Sequence, residues 1–206
     1  FKHRERAVSA EDYEWLARAA SQSVARARCL PNVNNLGLPE LGWITVIIVP
    51  EGKESKPMPS PQLLTRVSRY LGARAVNSVI APRHLHVTRP TYVEVRVVGE
   101  VTPVSLDEAA SAEKKILEEL DKFFHPLTGG PEKRGWAFGS TIMISQVYSL
   151  LESIREVAFV KGLALSAEGR FSREKIAIPA HALVCSGAHD IRVILEEENV
   201  SAYSQA

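Results

Sequence analysis

Residues 44–49 read ITVIIV, six β-branched side chains with no polar face between them. Such a run favours extended backbone, and its lack of alternation implies a central strand buried on both sides. At six residues it falls far short of the ~20 that a membrane span needs, and no other apolar run comes closer. A strand of this kind requires layers above and below it, so the rest of the chain is read for the elements that supply them.

Residues 9–29 are expected to form a first helix. Ser9 and Asp12 fit a capping box, and Tyr13, Leu16, Ala17, Ala20, Val24 and Ala27 recur at helical spacing until Leu30-Pro31 ends the pattern. A second helix begins at Ser60-Pro61, with Leu63, Leu64, Val67, Tyr70 and Leu71 as its stripe and Gly72 as its stop. Residues 84–88 suggest a short strand. In residues 92–98 (YVEVRVV), Val93, Val95 and Val97 alternate with Glu94 and Arg96, a strand with one wet face. A third helix is expected from Ser105, capped with Glu108 and lined by Leu106, Ala109, Ala112, Ile116, Leu120 and Phe123. Thr141 to Ile144 suggests a short strand, Ser145 a cap for a fourth helix, and Ala158 to Leu165 another strand. Residues 176–185 and 191–195 suggest a closing hairpin about Ser186-Gly187. The acidic run Glu196-Glu197-Glu198 leads into a polar tail.

The expected fold is therefore α+β: a ferredoxin-like split β-α-β core with helices on one face of a mainly antiparallel sheet, plus an N-terminal helix and a C-terminal β-hairpin. The expected division is an N-terminal helical segment at 1–40, the core at 41–165, and the hairpin and tail at 166–206.

Charge and cysteine content remove several functional classes. Lys and Arg number 25 against 24 Asp and Glu, so no basic field favours nucleic acid or an anionic membrane as partner. Cys29 and Cys185 stand far apart and in no metal-binding spacing, as expected of two reduced thiols. His84 and His86 would share a strand face, but Arg83 and Arg89 beside them oppose a cation. His181, Cys185 and His189 could in principle bind zinc or support a hydrolase, the alternative reading for this chain. No G-x-S-x-G context surrounds Ser186, and no phosphate-binding glycine pattern occurs. Asn199-Val200-Ser201 is a formal glycosylation sequon. Catalytic residues, metal ligands and cofactors are all expected to be absent.

Residues 125–139 (HPLTGGPEKRGWAFG) form a long connection of unusual make-up. Pro126 and Pro131 stiffen it, Gly129, Gly130, Gly135 and Gly139 allow positive φ or close approach, and Trp136 and Phe138 bring large apolar groups to a place that is normally polar. Trp136 either tucks over the core or anchors a partner. Trp136, Phe138, Gly129 and Gly130 are the candidates for shaping this loop or an interface.

The order HPLTGG, GWAFG and then a helix opening SQVYSLL resembles the baseplate J-like family, the baseplate assembly proteins of phage tails and contractile injection systems. RAVSAEDYE, VIIVPEGKESKPMPSPQLL and IPAHALVCSGAHDIRV are similar to further segments of that family, so the resemblance runs along nearly the whole chain. Ile154-Arg155-Glu156-Val157 departs from it where a glycine commonly precedes the valine. The resemblance implies a non-enzymatic wedge component, made in the bacterial cytoplasm and assembled into a particle. Its implied partners are other baseplate, tube or sheath-base proteins, in an oligomeric assembly. It also implies that the chain is the C-terminal part of a longer protein.

Overall fold

The structure, a computed structural model, describes residues 6–76, 79, 83–105, 107 and 109–194. Leu106, the capping partner Glu108, the acidic run at 196–198 and the sequon at 199–201 lie outside the described residues. The chain divides into two compact units. The first runs to Tyr92 and adds Pro179–Leu183; the second holds Val93–Ile178 and the chain from Val184 onward.

In the first unit, α1 (Ala10–Ala19) leads to β1 (Val24–Val33), β2 (Pro39–Pro50), α2 (Pro61–Gly72) and β3 (Leu85–Thr88). The capping box of α1 forms as expected: Ser9 Oγ accepts from Asp12 N–H at 3.2 Å, and Asp12 Oδ2 accepts from Ser9 N–H at 2.9 Å. The helix then ends ten residues earlier than its pattern suggested. Residues 24–29 leave it to become β1, which pairs antiparallel with β2, Arg28 opposite Ile47 and Cys29 opposite Val46. The buried ITVIIV strand needs a hydrogen-bonding neighbour on each side. That long-range demand overrides the helical propensity of VARARC. β2 pairs parallel with β3 on its other side, Val46 opposite Val87. Tyr13, Leu16, Val24, Val46, Ile48, Val67 and Leu71 form one buried cluster between the two helices and this sheet.

The second unit contains most of β4 (Thr91–Pro103), then α3 (Ala109–Phe123), β5 (Thr141–Met143), α4 (Ile144–Glu152), β6 (Val157–Ala167), β7 (Arg170–Ser172), β8 (Lys175–Ala177) and β10 (Asp190–Val193); β9 (Ala182–Ser186) runs into it. β4 alternates as its sequence demands, with Val93, Val95 and Val97 buried and Glu94 and Arg96 exposed. It pairs antiparallel with β6, which turns through Glu168 and Gly169, both at positive φ, into β7. β5 and β8 form a separate antiparallel pair. α3 packs on β10 and α4 on β6.

The α+β class and the mainly antiparallel sheets are as expected. Two connections differ in detail. The β2-α2-β3 strands lie side by side, with no third strand inserted between them. The closing segment is interrupted at Pro179–His181, and both β9 and β10 pair with β4, β10 in parallel register with Asp190 opposite Val98. The long β4 offers an edge, and Gly187 N–H is taken by Val95 O at 3.0 Å, so Ser186-Gly187 continues along β4 where a tight hairpin turn is expected from the sequence. The start of α4 also differs. Ser145 lies inside the helix, and the end is closed by Gln146 Oε1 accepting from Met143 N–H at 3.0 Å.

Candidate functional site

The loop at 125–139 is built around the end of α3. An amphipathic face of Ala112, Ile116, Leu120 and Phe123 is buried, and the following Phe124 is fully so. The carbonyls of the last turn have no partners within the helix. Phe123 O receives two from the loop: Gly130 N–H at 2.7 Å and the indole Nε1–H of Trp136 at 2.8 Å. His125 Nδ1 accepts from the N–H groups of Leu127 at 3.3 Å and Thr128 at 3.2 Å. Gly129 N–H donates to His125 O at 2.8 Å, and Gly135 N–H to Gly129 O at 2.7 Å.

Trp136 is 4% exposed and points inward. Its ring meets Phe123 edge-on at 5.3 Å and stacks on Phe124 at 6.4 Å. Phe138 is half-buried. The glycines are required for two different reasons. A Cβ on Gly129 would lie 2.1 Å from Phe123 O, whereas Gly130 has φ +80° and room for a Cβ. The charged tip at 131–134 faces solvent, as do Thr128 and Ala137, beside a groove of about 270 Å³ that Gly129, Gly130, Lys122 and Lys133 help to line.

Phe124 also joins this loop to a second cluster, its ring lying 5.6 Å from that of His189. Ser186, His189 and Asp121 come together here, the residue types of a hydrolase triad. Ser186 Oγ donates to Asp121 Oδ1 and lies 2.9 Å from His189 Nε2. His189 Nδ1, however, accepts from Val97 N–H at 3.0 Å. A main-chain N–H can only donate, so Nδ1 carries the lone pair and the neutral ring bears its proton on Nε2. That proton points at Ser186 Oγ. A nucleophile needs the reverse arrangement, with Nε2 free to accept from the hydroxyl and Nδ1–H held by the carboxylate. The cluster instead fills the place of a missing main-chain acceptor between β9 and β10. Burial lowers His189 to about 4; Asp121 opposes the shift and Arg96 adds to it. The ring is therefore neutral near neutral pH.

The other sequence candidates are dispersed. His181 belongs to the first unit, while Cys185, fully buried, and His189 belong to the second. No three His, Cys, Asp or Glu side chains gather in a metal-binding group among the described residues. His84 stacks on Trp43, with ring centroids 4.7 Å apart, and His86 lines a cavity on the sheet. Burial, with Glu14 nearby, pushes the Cys29 thiol up to about 12. No helix among the described residues is long and apolar enough to cross a membrane. Sequence reasoning missed the Ser186–His189–Asp121 cluster because Asp121 sits 65 residues from Ser186 on a helix face that reads as solvated.

Fold and site together define a two-unit α+β chain in which the most reactive-looking side chains serve the backbone. It is similar in fold to a chain in the cryo-EM structure of the anti-feeding prophage (AFP) baseplate, 6-fold symmetrised, with a TM-score of 0.68 and 21% identity. The likeness covers 91% of this chain and 38% of that one, so this chain spans well under half of its length. No protein-family model matches the chain, and no curated protein matches it either.

Proposed function

We propose that this chain is a structural part of the baseplate of a contractile, phage-like particle, a wedge subunit of the baseplate J-like kind. It acts through protein–protein contacts with other baseplate, tube or sheath-base proteins and is present in several copies per particle. It is made in the bacterial cytoplasm and performs no catalysis. The observation that carries this reading is the fold likeness to a chain of a prophage baseplate over 91% of the sequence. The HPLTGG and GWAFG motifs support it, as does a Ser–His–Asp cluster wired against nucleophilic use. Trp136, Phe138, Gly129 and Gly130 frame the 125–139 loop, and its charged tip is the docking element.

The test is to insert an epitope tag into the exposed, charged segment after Pro50 in the encoding gene and image particles labelled with antibody and gold. Label confined to one end of the tail, together with loss of sheathed particles when the gene is deleted, is expected. Unlabelled particles, or intact particles without the gene, would sink the reading.

A further inference from the structure

A cavity of about 460 Å³ opens on the first unit's sheet. Its lining includes the apolar Val33, Leu36 and Ile47 and the polar His86, Thr88, Arg89, Thr91 and His181. Among the described residues, no Asp or Glu lines it. Side-chain hydrogen bonds brace the turn that carries part of this lining. Asn34, 8% exposed, accepts from Leu36 N–H at 2.9 Å and Leu38 N–H at 3.0 Å through Oδ1, and its Nδ2 donates to Glu40 at 2.8 Å. Thr45 Oγ1 donates to Val33 O at 2.8 Å. This bracing holds the β1–β2 turn so that it presents Leu36, 75% exposed, and Leu38, 57% exposed, at the cavity rim and beside it. Exposed leucines on a rigid turn next to a half-apolar cavity mark a contact surface.

We propose that this cavity binds an extended peptide segment of a neighbouring protein, one that carries a carboxylate next to an aliphatic side chain. Charge complementarity selects that occupant. Arg89 brings a guanidinium to a lining with no carboxylate among the described residues, and guanidinium–carboxylate pairing is a strong, directional contact. Burial lowers the pKa of His86, so near neutral pH it contributes a hydrogen bond and no charge. A single guanidinium suits one carboxylate better than a polyphosphate, which calls for several cations or a ring of backbone N–H groups. Val33, Leu36 and Ile47 take the aliphatic side chain.

This inference goes beyond the baseplate reading and is tested on the isolated full chain, so that either can fail alone. The amide NMR spectrum is followed while a blocked Leu-Asp-Leu-Glu tetrapeptide, or its neutral Leu-Asn-Leu-Gln counterpart, is added to millimolar levels. The acidic peptide is expected to shift the amides of Ile47, His86 and Arg89 and to bind at least about fivefold more tightly than the neutral one, the worth of one charge-assisted contact at a half-exposed site. Arg89→Gln, at an exposed position, is expected to keep the wild-type melting temperature and to bring the acidic peptide down to the neutral level. Absent shifts, equal affinities for the two peptides, or undiminished binding by Arg89→Gln would each overturn the proposal.

Discussion

His189 makes the stability of the second unit depend on pH in a way that one substitution isolates. Its side chain is 2% exposed, and Nδ1 is committed to Val97 N–H. A proton placed on Nδ1 would set two donors against each other, in a site already hostile to charge. The groups facing the ring are Asp121 on α3, whose oxygen lies 4.0 Å from Nε2, and Arg96 on β4, itself paired at 3.0 Å with Asp190 of β10; Glu94 stands near Gly187 on the same strand. The folded imidazole, near 4, binds a proton less readily than the unfolded one, near 6.5. The unfolded state therefore gains protons first as pH falls. The contribution is complete above about pH 6.5, is lost progressively down to about pH 4, and is constant below that. At roughly 1.4 kcal/mol per pKa unit the full effect is about 3 kcal/mol, of which about 2.5 kcal/mol is gone at about pH 4.5. Urea unfolding at about pH 7.5 and about pH 4.5, for the wild type and for His189→Asn, measures it. Asparagine keeps an acceptor near the position of Nδ1 and does not titrate. The variant starts less stable, having lost the ring, but carboxylate protonation acts on both proteins alike. The wild type should lose about 2.5 kcal/mol more than the variant over this interval. Parallel losses in the two proteins would refute the assignment of His189 as a buried, neutral, Nε2-protonated ring.

The loop yields two further predictions. Trp136→Ala should lower stability by about 3–5 kcal/mol in urea unfolding, because it removes a buried ring packed on Phe123 and Phe124 together with a hydrogen bond to Phe123 O, whereas Trp136→Phe should cost markedly less; equal, small losses would mean that the indole does not hold the loop. Gly129→Ala should cost about 2 kcal/mol or more, since its Cβ meets a carbonyl and the backbone must move, while Gly130→Ala should cost about 1 kcal/mol from its positive φ alone; the reverse order in thermal melts would contradict the close approach at Gly129.

What could be read from the sequence follows from how local each signal is. The Ser9 capping box, the Ser60-Pro61 helix start, the apolar face of α3 and the alternation of β4 are written within one or two turns of chain, and the structure has each of them. β1 carries a helical signal, since Ala and Arg suit a helix and Val24 and Ala27 fit its spacing; only pairing with β2, a long-range event, makes it a strand. The pairing of β9 and β10 with β4 is likewise a long-range event. Ser-Gly is a turn signal, but a free edge on β4 offered both segments a longer ladder. The candidate loop was visible through its prolines, glycines and aromatics. Whether Trp136 faced in or out was not, because that depends on the position of the Phe123 carbonyl.

The pattern within the second unit bears on what such a loop can do. Side chains stand in for main-chain partners at three places: Trp136 on Phe123 O, His125 on the N–H groups of Leu127 and Thr128, and His189 on Val97 N–H. Phe124 links the first of these to the last, so the end of α3, the loop and the β4 edge share one packed aromatic row. The Trp136 indole N–H, His125 Nδ1 and His189 Nδ1 are each committed to a bond that the fold uses. The same arrangement holds the loop in one conformation before anything touches it. Ordering a flexible segment on association costs about 0.5–1.5 kcal/mol for each immobilised side chain, and a loop already fixed avoids much of that cost. The charged tip at 131–134 is thus carried on a loop that Trp136 and His125 tie down through main-chain partners.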